Sequence, residues 1–426
     1  MRRILIVGGK RLAGEVEVSG SKNASLPILA ATILTRGMST LSSVPCLLDI
    51  LTMIRVLRAL GIRAEYSPPN TVKVWVNDHV KHIAPYELVT KMRASFFIMG
   101  PLLARTGFAK VPLPGGCAIG SRPVNIHIKG LEALGAKIEL EHGFVIARAS
   151  KLKGDRIILD FPSVGATENV MMAATLAEGE TVIENSAREP EIVDLANYLI
   201  KAGAKISGAG TDIIKIEGVK ELNAVNHKII PDRIEAGTLM IAAAITRGDV
   251  VIKNINADHI DSIILKLRSA GIEISVNGNQ VRVHSPDGIK PVDIITQPFP
   301  GFPTDMQPQM VALLALASGT SVVTETVFEN RFMHVHELKR MGADIRLEGL
   351  SAIVNGVNKL EGAPVKSRDL RAGAALIVAG LVAEGETLIE DMDRFIERGY
   401  EGIDKKLISL GADIRELKNI SDYEDE

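Results

Sequence analysis

The chain has 426 residues, of which 46% are hydrophobic and 23% charged, with a formal net charge of −2. That length exceeds what one hydrophobic core supports, so two or three domains are expected, and the near-neutral balance excludes a nucleic-acid footprint or a surface made for anionic membranes. Two cysteines, Cys46 and Cys117, exclude a disulfide framework and fit a reducing compartment.

In chain order, the opening Met1-Arg-Arg-Ile-Leu-Ile-Val-Gly-Gly is basic, but its apolar run is too short for a signal peptide. The longest apolar stretches, such as residues 310–317, fall short of a membrane span, so a cytoplasmic protein is expected. Residues 4–7 and 14–18 read as strands. Helices apolar on nearly every side, and therefore buried, begin near Lys22, Arg93, Ala166, Arg233, Asp305 and Arg371. The third of these, residues 166–178, is followed by a strand at 181–185 and an amphipathic helix over 191–202. Ile192, Leu195, Ala196 and Leu199 form one face of that helix. Strands at 205–207 and 213–217 complete the unit.

The same order recurs along the chain. A Gly followed by Ala or Ile closes an amphipathic stretch at Gly61, Gly135, Gly203, Gly271, Gly342 and Gly411, in steps of 74, 68, 68, 71 and 69 residues. A second glycine keeps the same period at Gly37, Gly107, Gly179, Gly248, Gly319 and Gly385. Two markers with one period indicate six copies of one unit. The sixth, from Arg368 to about Lys418, lacks its closing pair of strands, and residues 4–7 and 14–18 are expected to supply them. Three units per domain predicts one domain over 22–229 and another over 1–21 plus 230–426. The chain would cross twice, near Gly20-Ser21 and Ile230-Pro231, forming a hinge beside a ligand cleft.

Lys22, Arg93, Arg233 and Arg371 stand in or beside the first turns of the buried helices, where the helix dipole disfavours cations. Each could be paired with a nearby carboxylate such as Asp232 or Asp369. Four equivalent cases favour a shared cleft for an anionic ligand, which would use both the charge and the free N–H groups. The loop Pro112-Leu-Pro-Gly-Gly-Cys-Ala-Ile-Gly-Ser-Arg-Pro-Val departs from the repeat, and a cysteine among glycines near Arg122 suits a reactive thiol. Cys46 is expected to be a small buried apolar residue. Asp305, alone, reads as a helix cap. His334 and His336 lie two apart on a helix and do not share a face, so they make a poor metal site. No phosphate loop of the G-x-x-x-x-G-K-[ST] type is present.

Five segments, in order, resemble the UDP-N-acetylglucosamine 1-carboxyvinyltransferase family. They are Ser-Gly-Ser-Lys-Asn-Ala-Ser-Leu-Pro from Ser19, Pro-Gly-Gly-Cys-Ala-Ile-Gly-Ser-Arg-Pro from Pro114, Phe-Pro-Thr-Asp-Met-Gln from Phe302, Glu-Thr-Val-Phe-Glu-Asn-Arg-Phe-Met-His from Glu325, and Arg-Gly-Tyr from Arg398. The resemblance implies an α/β fold, a two-domain inside-out α/β barrel with three βαβαββ-like repeats per domain. It implies transfer of enolpyruvyl from phosphoenolpyruvate to the 3-hydroxyl of UDP-N-acetylglucosamine, with release of phosphate and no metal or organic cofactor. By the same resemblance Cys117 is the general acid, can carry a covalent phospholactoyl adduct, and is the residue alkylated by the epoxide antibiotic fosfomycin. Asp305 takes or positions the proton of the sugar hydroxyl. Lys22, Arg122 and Arg398 grip phosphate and carboxylate, groups that forked arginine donors suit. Asn23 and Arg93 are implied at the nucleotide-sugar site. Arg122, Pro123, Val124, Asn125 and Ile126, then Ser163, Val164 and Gly165, and Val327, match the uridine and diphosphate segments. Arg331, Asp369 and Arg371 match further positions of the cleft. Phe161 stands where some members carry Lys. Two rival readings are a 5-enolpyruvylshikimate-3-phosphate synthase-like enzyme, which lacks the cysteine loop, and a six-repeat ring around DNA, which would need basic inner helices.

Overall fold

A helix without a polar face has to be surrounded by other elements. The computed structural model describes residues 2–90, 92–114, 124–285 and 288–417. It divides into two compact units, the chain passing from one to the other between Ser19 and Gly20 and between Ile230 and Pro231. In the unit that begins at Gly20, helices Lys22–Ala31, Met99–Thr106 and Val164–Ala174 are buried over most of their length. In the other, Arg233–Ile245, Gln307–Leu314 and Leu370–Gly380 are buried in the same way. Each unit has one continuous apolar core, and each Leu or Ile fully buried there contributes about 1.5–3 kcal/mol relative to exposure.

Amphipathic helices lie outside these. Pro190–Lys201 buries Ile192, Leu195, Ala196 and Leu199, the face that the periodicity selects. The glycine marker has a physical basis. Gly61, Gly135, Gly203, Gly271, Gly342 and Gly411 all take positive φ just past the end of a helix, a conformation open to Gly at little cost. At the first, the Gly61 amide donates to Arg58 O (3.0 Å) and the Ile62 amide to Leu57 O (3.0 Å). The other five show the same pair of bonds, as in Ala343 N to Leu338 O at 3.1 Å. This is a Schellman cap, and the residue after its glycine packs on the helix it closes, which asks for Ile or Ala.

The strands pair by one scheme. Arg156–Ile158 runs parallel to Glu180–Glu184, which is antiparallel to Ile213–Glu217, itself antiparallel to Lys205–Ser207. The sheet around Thr320–Thr324 has Ile294–Ile295 parallel to it, then Ser351–Asn355 and Asp344–Glu348 antiparallel in turn. The two N-terminal strands separate, contrary to expectation. Arg2–Val7 lies between Glu386–Asp391 and Asp413–Leu417, antiparallel to both. Ala13–Glu17 instead runs parallel to Asp249–Lys253 in a different sheet. The last sheet keeps a closing strand of its own, Asp413–Leu417, so it has room for one N-terminal strand and not two. Val16 is then buried beside Ile252, while Glu15 meets Lys253 on the exposed side. Cys46 is a second correction. It is exposed in the segment before helix Leu48–Ala59, where Val44, Pro45 and Leu47 take the buried positions.

Ser19, the last residue before the chain leaves its unit, is held by a half-buried charged cluster. Its amide donates to Glu235 Oε2 (2.9 Å), its hydroxyl donates to Glu401 (2.6 Å), and Lys406 donates to that hydroxyl (2.8 Å) and to the other oxygen of Glu235. Glu235 is 3% exposed. Burial pushes its carboxyl up from 4.5 to about 7, against the pull of Lys406. The folded protein therefore holds a proton there that the unfolded chain releases, so this group's contribution falls as pH rises between those values. The loss is on the order of 3 kcal/mol at most. Glu235→Gln is expected to flatten the decline in Tm between about pH 5 and about pH 7, and an unchanged slope would contradict this assignment.

Candidate active site

In the unit carrying residues 231–417, a 3-10 turn, Thr304–Met306, precedes helix Gln307–Leu314 and lifts Asp305 out of the core. Arg331 Nη2 lies 2.9 Å from Asp305 Oδ1, and Arg371 places Nη2 at 2.8 Å and Nε at 3.1 Å from Oδ2. The arginine side chains are 2% and 4% exposed, whereas that of Asp305 is 26% exposed. The arginines are thus locked in the protein, and the carboxylate keeps an accessible face. Burial works to raise the Asp305 carboxyl, but Arg371 and Arg331 outweigh it and hold the group well below the usual carboxylate range. Burial likewise opposes the charge of Arg371, and Asp305 more than restores it. Arg371 also lies 5.2 Å from the ring centroid of Tyr400, whose hydroxyl accepts from Gln309 at 2.9 Å.

Asp369 does not pair with the Arg371 side chain. It caps helix Leu370–Gly380, accepting from the amides of Arg371 (2.8 Å) and Ala372 (3.0 Å). Asp232 caps Arg233–Ile245 in the same way. The carboxylate partner of Arg371 is Asp305, and that of Lys22 is Asp49, at 3.4 Å with both side chains nearly buried. Two of the four helix-start cations are therefore matched by carboxylates distant in sequence. Arg233 lies 5.9 Å from the ring of Phe299. Arg398 sits half-buried on the short helix Phe395–Gly399. Val327 is half-buried, its amide donating to Glu325 at 2.8 Å.

In the unit that begins at Gly20, Lys22 opens its helix behind a Ser21 cap, with Asn23 half-buried beside it. Arg93 opens the 3-10 run Arg93–Ile98, Asn125 and Ile126 begin helix Asn125–Ala133 after Val124, and Ser163 caps helix Val164–Ala174. These three segments meet. A Cβ on Gly165 would stand 3.0 Å from the Phe97 ring and 3.2 Å from that of His127. Asn169 fastens them, donating to Phe96 O (3.1 Å), accepting from Gly100 N (2.6 Å) and facing His127 Nδ1 (3.1 Å). Sequence reasoning missed Asn169. Its signal was a polar run, Thr167-Glu168-Asn169, inside a helix buried over most of its length. Phe161 is exposed.

Cys117, Arg122 and Pro123 lie outside the described residues. His334 is buried and His336 exposed, on opposite sides of helix His334–Arg340. Burial, then Arg331, lowers the His334 imidazole to about 3. Among the described residues no group of His, Cys, Asp or Glu is arranged to hold a metal ion, and no helix is long and apolar enough to cross a membrane.

A family model described as EPSP synthase (3-phosphoshikimate 1-carboxyvinyltransferase) matches residues 6–407. The chain is 58% identical to UDP-N-acetylglucosamine 1-carboxyvinyltransferase 2 of Carboxydothermus hydrogenoformans, over 98% of this chain and 100% of that protein. It is 56% identical to UDP-N-acetylglucosamine 1-carboxyvinyltransferase of Geotalea daltonii, with the same coverage. Among solved structures, the enolpyruvyl transferase NikO from Streptomyces tendae superimposes with a TM-score of 0.88 at 24% identity, covering 98% of this chain and 99% of that one. EPSP synthase from Acinetobacter baumannii gives a TM-score of 0.75 at 20% identity, covering 98% of this chain and 100% of that one. Both share the α/β fold.

Proposed function

The chain belongs to the UDP-N-acetylglucosamine 1-carboxyvinyltransferases within the EPSP synthase family, and from that premise we propose that it transfers enolpyruvyl from phosphoenolpyruvate to the 3-hydroxyl of UDP-N-acetylglucosamine, the first committed step of peptidoglycan synthesis. The observation that carries this reading is 55–58% identity along nearly the whole chain to proteins bearing that name. The shikimate-3-phosphate alternative is less favoured, because the EPSP synthase structure shares 20% identity.

In the addition step the sugar oxygen bonds to the enol carbon while the methylene carbon takes a proton. In the elimination step that carbon returns a proton and the carbon–oxygen bond to phosphate breaks. Cys117 supplies the proton to the methylene, and its sulfur is alkylated when it opens the epoxide of fosfomycin. Lys22, Arg122 and Arg398 neutralise phosphate and carboxylate, with the phosphate drawing Lys22 from Asp49. Asn23, Arg93, residues 122–126, residues 163–165 and Val327 receive the nucleotide sugar, and the convergence of three of these segments on Asn169 and His127 supports that role. Arg331 and Arg371 hold Asp305 ionised, and Asp369 sets the start of the Arg371 helix. A carboxylate so depressed stays ionised and is a weak base, so Asp305 orients the 3-hydroxyl and receives its proton only as the carbon–oxygen bond forms.

We also read the sheets and helices as six βαβαββ-like copies, three per domain, in an inside-out α/β barrel. The recurrent strand pairing and the six Schellman glycines support this. The reading sets the enzyme in the cytoplasm. Its test is product identity: after incubation with both substrates, NMR should show a new enolpyruvyl ether on the nucleotide sugar and stoichiometric free phosphate. Consumption of phosphoenolpyruvate without that ether would defeat the proposal.

A further inference from the structure

The turn that carries Asp305 is joined to the loop over residues 325–331 at two points. Arg331, at the far end of the loop, meets the Asp305 carboxylate at 2.9 Å. Glu325, at the near end, reaches back to Thr304, the residue before Asp305. Glu325 is 1% exposed, and its carboxylate collects four donors. Oε1 accepts from the Thr296 hydroxyl (2.8 Å), the Val327 amide (2.8 Å) and the Phe328 amide (3.2 Å). Oε2 accepts from the Thr304 hydroxyl (2.8 Å). Its backbone is held independently, Glu325 N donating to Leu350 O at 2.8 Å. The Thr296 hydroxyl in turn accepts from the Thr326 amide at 2.9 Å.

The 304–305 turn and the 325–331 loop thus form a closed frame, tied at one end by Glu325 and at the other by Arg331. An acceptor with only oxygen lone pairs suits four convergent donors, and charged acceptors make the stronger hydrogen bonds. We propose that Glu325 is a positioning residue for the acceptor sugar nucleotide: one oxygen sets the turn that presents Asp305, the other sets the backbone that presents Val327, and both are kept in one register. The inference rests on the functional reading of Asp305 and Val327 given above.

The test is steady-state phosphate release by wild type, Glu325→Ala, Glu325→Gln and Thr304→Val, varying each substrate in turn. Glu325→Ala should raise KM for UDP-N-acetylglucosamine about tenfold or more, with KM for phosphoenolpyruvate within about twofold. Thr304→Val keeps the carboxylate and cuts a single tie, so the same KM should rise about threefold. Glu325→Gln should recover most of the wild-type value, because its carbonyl can serve the two amides and the Thr304 hydroxyl can turn to accept. A residue that only supports folding would lower the amount of active enzyme, so that kcat falls and both KM values stay put. That result overturns the inference. Should Glu325→Ala fail to fold, Thr304→Val decides alone. A wild-type protein inactive with this substrate pair would bring down the functional reading, and this inference with it, whereas unchanged KM values in an active series would overturn the inference only.

Discussion

Asp305→Asn is expected to lower kcat by about a hundredfold to ten-thousandfold, the range for a group that acts on a proton in the transition state. The amide keeps the shape and one acceptor oxygen, but not the charge that orients the hydroxyl and takes up its proton. Stability should fall with activity. Arg331 and Arg371 are nearly buried and both give their charge to this carboxylate. Removing one partner of such a cluster leaves uncompensated buried charge, at a cost of about 3 kcal/mol. The pH dependence follows from the depressed Asp305 carboxyl. Its contribution is complete above the ordinary carboxylate value, about 3.9, and is lost as pH falls toward the folded value. The melting temperatures of wild type and variant should therefore differ by a constant amount near neutrality and converge in acid. An Asp305→Asn enzyme with more than a tenth of wild-type kcat would remove this residue from the chemistry.

Cys117→Ser is expected to reduce turnover by a similar factor, about a hundredfold or more, because a hydroxyl is a far weaker acid than a thiol. It should also abolish the covalent adduct with fosfomycin, seen as a mass increment on the peptide containing position 117. Cys117→Asp should lose the adduct and retain turnover, since a carboxyl group can deliver the same proton without being alkylated. Cys117 lies outside the described residues, so this expectation rests on the thiol among glycines and on the family. Full labelling of Cys117→Ser by fosfomycin would show that the antibiotic reacts elsewhere.

What could be read in the sequence was whatever repeats locally. The buried helices declare themselves by lacking a polar face, and the amphipathic ones by their period. The glycine markers were legible because a Schellman cap is completed within six residues and demands a specific backbone conformation. The partner of Arg371 was not legible, because Asp305 lies 66 residues away. Asn169 reaches Gly100 across 69 residues, and Glu325 reaches Thr304 across 21. Such bonds leave no period and depend on which segments tertiary packing brings together. For the same reason Asp369 read as a plausible side-chain partner for the neighbouring arginine, when the helix amides beside it hold its Oδ1. The N-terminal strands show the limit of internal resemblance. Residues 4–7 and 14–18 both resembled missing strands, but a closing strand downstream, Asp413–Leu417, already occupied one place.

Phosphate release from phosphoenolpyruvate, measured with UDP-N-acetylglucosamine and in parallel with shikimate 3-phosphate, tests the central claim most directly. Release with the nucleotide sugar alone, stopped by fosfomycin, is the predicted result. Release with shikimate 3-phosphate and not with the nucleotide sugar would contradict it, leaving the family and fold in place but overturning the substrate.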